Sequence, residues 1–88
     1  MKVLKFGAIW CSGCLIMKPR WAEIEKDLTW LKTQYYDADE NPDLVEKYKI
    51  TDYPCFIFLD KNDKEIHREY GEIEKNNLIQ IINKHKDQ

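Results

Sequence analysis

The chain has no apolar run of the length needed to cross a bilayer. It has no excess of basic residues either, since Lys and Arg are scattered and the formal net charge is −2. A membrane span and a basic groove for nucleic acid are therefore not expected. Glycine and proline number only 3 each, so no linker, low-complexity tract or repeat divides the 88 residues, and one domain is expected. Histidine numbers 2 and cysteine 3. An odd cysteine count does not make a disulfide framework. At the N-terminus Lys5 interrupts a short apolar stretch and no small-residue cleavage site follows, so no signal peptide is expected and the cytosol is the default setting.

What the chain does have is Trp10-Cys11-Ser12-Gly13-Cys14. An apolar stretch, Val3 to Ile9, runs into it, and an amphipathic helical pattern runs out. That places two cysteines at a strand–turn–helix junction. Two residues between cysteines on a first helical turn bring the Cα atoms to about 5–6 Å, a span a disulfide can close. Backbone N–H groups at a helix start lack intrahelical partners and carry partial positive charge, which favours a thiolate. The thiolate is the nucleophile. Cys11 is thus the candidate attacking sulfur, expected to be exposed, and Cys14 the candidate resolving sulfur, expected on the buried helix stripe. A zinc site normally needs a second ligand pair, and Cys55, His67 and His85 are not paired at ligand spacing.

The rest of the chain reads as alternating elements. Ser12 to about Leu28 forms the first helix, with Cys14, Met17, Trp21, Ile24 and Leu28 as a buried stripe and Pro19 inside it. Leu31 to Asp37 is a second strand. Asn41-Pro42 starts a short helix, Asn41 as N-cap and Pro42 at the first helical position, with Leu44, Val45 and Tyr48 as its apolar face. Cys55 to Leu59 is a central strand, Asp60 to Asp63 a polar hairpin loop, and Glu65 to Tyr70 an edge strand that Gly71 ends. Lys75 to Lys86 is the last helix, with Leu78, Ile81, Ile82 and His85 facing in. The order β-α-β-α-β-β-α predicts a right-handed crossover between the first two strands and an antiparallel hairpin between the last two. The fold class is α/β, a mixed four-stranded sheet with helices on both faces.

These residues resemble the thioredoxin family over nearly the whole chain. Trp10 to Cys14 resembles the family's active-site motif, Pro19 its helix-kink proline, and Asp39 to Pro42 the entry to its next helix. Lys47 to Pro54 resembles the segment leading to its cis-proline, and Gly71 the glycine after its last strand. The resemblance implies the thioredoxin fold in a minimal form and a thiol-disulfide oxidoreductase that reduces protein disulfides. It implies that Pro54 is cis and lies against Cys11. Backbone groups of Tyr53 would then receive an extended substrate peptide by strand addition. Trp10, Ser12, Gly13, Tyr53, Pro54, Tyr70 and Gly71 would make the substrate surface. The expected partners are disulfide-containing proteins and a dithiol reductase. The expected unit is a monomer without a bound cofactor.

Three departures stand out. The resemblance implies a leading strand and helix, which are not expected among these 88 residues. Ser12-Gly13 stands where Gly-Pro is usual. Lys5, six residues before Cys11, stands where the family carries a buried acid that relays a proton to the second cysteine. Lys5 is therefore a candidate catalytic group, either as an ammonium that lowers the Cys14 pKa or as a neutral amine that accepts its proton. The alternative is that its stem lies along the strand while the ammonium reaches solvent. A glutathione-fed glutaredoxin-like enzyme, a metal or iron–sulfur module and a peptide-binding module are the alternative functions. Cys55 is expected to be a small buried hydrophobe beside the motif.

Overall fold

The structure is a computed structural model describing residues 1–88. Seven elements follow one another: β1 (Lys2–Gly7), α1 (Ser12–Asp27), β2 (Lys32–Asp37), α2 (Pro42–Lys47), β3 (Cys55–Leu59), β4 (Glu65–Tyr70) and α3 (Lys75–His85). The strands form one sheet in the order β2-β1-β3-β4. β1 and β2 are parallel, while β3 runs antiparallel to both β1 and β4. This is the expected mixed sheet, with β3 buried along its whole length.

Alternation along β1 divides the core in two. Val3 points to one face and packs with Met17, Trp21 and Ile24 of α1, Phe56 and Phe58 of β3, and Leu78 and Ile82 of α3. Leu4 and Phe6 point to the other face and pack with Cys55, Ile57 and Leu59 of β3. Leu44, Val45 and Tyr48 cover that second core only in part, and α2 buries no residue fully. Two helices therefore close one face of the sheet and one short helix closes the other.

Three expectations need correction. β1 ends at Gly7 rather than Ile9. The Ile9 side chain lies in the following turn and is 84% exposed, because the chain must leave the sheet to enter α1. Asn41 is the N-cap residue of α2, but its side chain makes no capping bond; its Nδ2 donates to the Asp37 carbonyl at 2.9 Å instead. α1 runs to Asp27 with Leu28 as C-cap, as expected. Cys11 and Cys14 exchange their expected burial, as described next.

Candidate active site

The turn between β1 and α1 is built by local bonds. The Cys11 N–H donates to the Ala8 carbonyl at 3.2 Å, which closes the turn after the strand. Cys11 is then the N-cap of α1, and its Sγ accepts the Cys14 N–H at 3.2 Å. A sulfur in that position takes the place of the usual capping oxygen and meets the positive end of a 16-residue helix. The two cysteines are paired as a disulfide, with Cα atoms 5.3 Å apart.

The burial of the pair differs from expectation. Cys11 is buried, at 7% exposure, whereas Cys14 is half-buried and lines a cavity between β1 and α1. The capping role explains the first: a sulfur folded back onto the helix start is turned away from solvent. The cavity explains the second. Its volume is about 420 Å³, and its walls include Lys5, Ala8, Cys14, Trp21 and Tyr35. The stripe is buried at Met17, Trp21 and Ile24 but opens at its first turn.

On the opposite flank stands an aromatic rim. The Tyr53–Pro54 peptide bond is cis, as the resemblance implied. Pro54 lies against the motif, since a Cβ on Gly13 would come within 3.2 Å of its Cδ. The Gly71 N–H donates to the Pro54 carbonyl at 2.8 Å, and Gly71 takes φ +85°, a left-handed conformation that glycine adopts without steric cost. Trp10, 64% exposed, meets Tyr53 edge to face with ring centroids 5.7 Å apart. Its indole Nε1 donates to Asp39 Oδ2 at 3.0 Å. Burial, then the Asp39 charge, raises the Tyr53 pKa, so the phenol stays neutral. Tyr70 accepts a bond from Arg68 at 3.0 Å. Trp10 and Gly13 belong to the motif, Tyr53 packs on Trp10, Pro54 packs on Gly13, Gly71 is bonded to Pro54, Tyr70 pairs with Cys55, and Ser12 is exposed at the first position of α1.

Cys55 is fully buried as the first residue of β3 and is not disulfide-bonded. Burial, countered in part by Arg68, pushes its thiol up to about 11. It is a neutral small hydrophobe at ordinary pH, as expected.

Lys5 reaches neither the sheet's end nor a free position beside the sulfur. Its Nζ bonds Glu25 Oε2 at 2.6 Å and lies 5.6 Å from the centre of the Trp21 ring. The lysine is half of an ion pair on the wall that also holds Cys14. The sequence reasoning missed Glu25, although its place four residues after Trp21 puts it on the same side of α1. It also missed Gly7 and Tyr35. Parallel pairing sets Tyr35 opposite Lys5, on the α1 side of the sheet. The register could not be read before the strands were paired. Arg20 was missed as well: it donates to the Ile73 carbonyl at 2.7 Å and ties α1 to the loop after Gly71.

No helix is long and apolar enough to cross a membrane. No group of three or more His, Cys, Asp or Glu side chains is placed to hold a metal ion.

The thioredoxin family model matches residues 1–84. Thioredoxin H5 of Oryza sativa subsp. japonica is 41% identical over 69 residues, which are 78% of this chain and 50% of that protein. The thioredoxin of Rickettsia bellii is 38% identical over 82 residues, 92% of this chain and 77% of that protein. The chain thus spans half the length of the rice relative and about three quarters of the rickettsial one. Among solved structures, Fasciola hepatica thioredoxin superposes with a TM-score of 0.87 at 30% identity, covering 96% of this chain and 79% of that one. Thioredoxin-2 of the malaria parasite superposes with a TM-score of 0.90 at 29% identity, covering 96% and 82%. With the fold, the cysteine pair at the helix start and these similarities agreeing, the chain belongs to the thioredoxin family of thiol-disulfide oxidoreductases.

Proposed function

We propose that the 88 residues act as one domain that reduces disulfides of protein substrates through a Cys11/Cys14 dithiol–disulfide cycle. The observation that carries this reading is the Cys11 Sγ at the N-cap of α1, bonded to the Cys14 N–H, with Cys14 one helical turn away. In the reduced protein the same donor and the helix dipole favour the Cys11 thiolate. That thiolate attacks one sulfur of the substrate disulfide, and the other substrate sulfur leaves as a thiolate. Cys14 then loses its proton and attacks Cys11. The mixed disulfide breaks, the second substrate thiolate leaves, and the 11–14 disulfide forms. A dithiol reductase returns the two electrons, and the cytosol is the proposed setting.

Trp10, Ser12, Gly13, Tyr53, Pro54, Tyr70 and Gly71 form the surface proposed to receive the substrate chain. The Tyr53 backbone, next to cis Pro54, is proposed to bond an extended peptide through its carbonyl, since its N–H already donates to Asp52 Oδ1 at 2.8 Å. Lys5 is proposed to act as the ammonium of its ion pair with Glu25, biasing the nearby Cys14 towards its thiolate. The neutral-amine role has no support here, because Nζ is engaged by a carboxylate.

Trapping tests the division of labour. Cys14→Ser should hold protein partners as stable mixed disulfides, and Cys11→Ser should hold none. Equal trapping by the two variants would refute the assignment of attacker and resolver.

A further inference from the structure

β1 carries its one glycine, Gly7, on the face that looks towards α1. A Cβ there would lie 3.0 Å from the Tyr35 hydroxyl and 3.2 Å from Cys14 Sγ. Two reactive groups from different elements therefore flank one point from which a side chain is missing. Both also line the same cavity. Tyr35 belongs to edge strand β2, two residues before Asp37. Asp37 itself is occupied in turning the chain, since its Oδ1 accepts the Asp39 and Glu40 N–H groups at 2.9 and 3.2 Å. The Tyr35 hydroxyl makes no hydrogen bond within the protein, so its donor is free to turn to the sulfur.

We infer that Tyr35 is a positioning residue for the resolving step, its phenol O–H donating across the gap left by Gly7 to the Cys14 thiolate. The inference rests on the dithiol cycle proposed above. The phenol keeps its proton throughout. Cys14 gives its own proton to solvent through the cavity, then attacks Cys11 as a thiolate that the phenol has stabilised. A charge-assisted bond of this kind is stronger than a neutral one and favours the ionised sulfur. Burial, then Asp37 and Glu40, raises the Tyr35 pKa, which preserves the donor over the working pH range. The charged groups around Cys14 are Lys5 on β1, itself paired with Glu25 of α1, Lys18 on α1, and Asp37 on β2. Beside these ionisable groups the Tyr35 hydroxyl offers a donor that carries no charge while it donates.

The test titrates Cys14 by thiolate absorbance in a Cys11→Ser background that also carries Cys55→Ala, because the Cys55 thiol itself titrates at about 11. This readout does not depend on reductase activity, so it can fail while the cycle stands. Y35F removes the hydroxyl and keeps the ring. It should move the Cys14 titration upward by about one pH unit. In the protein with both cysteines it should slow resolution about threefold near neutral pH, because part of the lost thiolate fraction is offset by a more nucleophilic sulfur. The titration of Cys11, read in a Cys14→Ser background, should not move. G7A places a methyl group between the two and should shift Cys14 in the same direction, with no further shift when combined with Y35F. If G7A does not fold, Y35F alone decides. A Cys14 titration that stays put or moves downward in Y35F would overturn the inference and leave the ring as a cover over Gly7.

Discussion

The two faces of the sheet differ in how they are closed, and each makes a different contribution to the site. The face under α1 and α3 holds nine buried residues, among them Trp21, Phe56 and Phe58. The face under α2 holds six, and its helix contributes only half-buried side chains. The thick face supplies most of the apolar burial that holds the fold. Yet it is also the face that is breached, by Lys5, Gly7 and the cavity behind Cys14. The thin face takes Leu4 and Phe6 from β1 and carries Tyr53 of the Tyr53–Pro54 turn that borders the motif. The surface proposed to receive substrate thus borders the lightly packed side, while the proposed resolving sulfur lies against the heavily packed side.

Truncation should separate the faces first. Trp21→Ala should cost about 3–5 kcal/mol in denaturant unfolding, as for a large aromatic removed from a packed interior. Trp21→Phe should cost much less than that, because the indole Nε1 has no hydrogen-bond partner to lose. Leu44→Ala on α2 should cost under about 2 kcal/mol, since the side chain is only half-buried. Similar losses for Trp21→Ala and Leu44→Ala would erase the contrast between the faces.

The next effect concerns charge beneath the pair. Lys5→Met should slow resolution severalfold, equivalent to about 1 kcal/mol or less, and leave the first attack by Cys11 nearly intact. Glu25→Gln should do the reverse, because it frees the ammonium to act on Cys14. Stopped-flow measurement of mixed-disulfide decay reads both signs. Identical rates in the wild type and both variants would make the ion pair a structural link between β1 and α1.

Cys55 sits on the thin face and should matter little. Cys55→Ala should leave turnover nearly unchanged, and iodoacetamide should not label Cys55 in the folded protein. Its raised thiol pKa contributes stability that is fully present at neutral pH and is lost as pH rises from the ordinary thiol range to about 11. The variant should lack that alkaline loss. The smallest effect is far from the site. Asp60 Oδ1 accepts the Lys64 and Asn62 N–H groups, and these bonds lower its pKa. Its contribution is present above the ordinary carboxylate range and is lost as pH falls through the lowered value. Asp60→Asn should flatten the acid limb of the stability curve slightly.

The element order and the mixed sheet were legible because each strand and helix carries its own periodicity and punctuation. Asn41-Pro42, Gly71 and the dense run Cys55 to Leu59 are local signals. The cysteine pair was legible because its spacing is itself the geometry. Relations across the sheet were not. That Tyr35 stands over Gly7, or that Glu25 meets Lys5, depends on the register of β2 against β1 and on how α1 lies over them. Burial of single atoms was also beyond reach. Exposure of Cys11 was inferred from its place at the end of a turn, but its sulfur folds inward as a helix cap.

The dithiol cycle itself is tested most directly by a redox titration of the intact protein, with thiols trapped by alkylation and mapped to individual cysteines. Cys11 and Cys14 should lose and regain their thiols together in a single two-electron transition, while Cys55 stays a thiol throughout and is labelled only after unfolding. A disulfide that includes Cys55, or separate transitions for Cys11 and Cys14, would contradict the cycle.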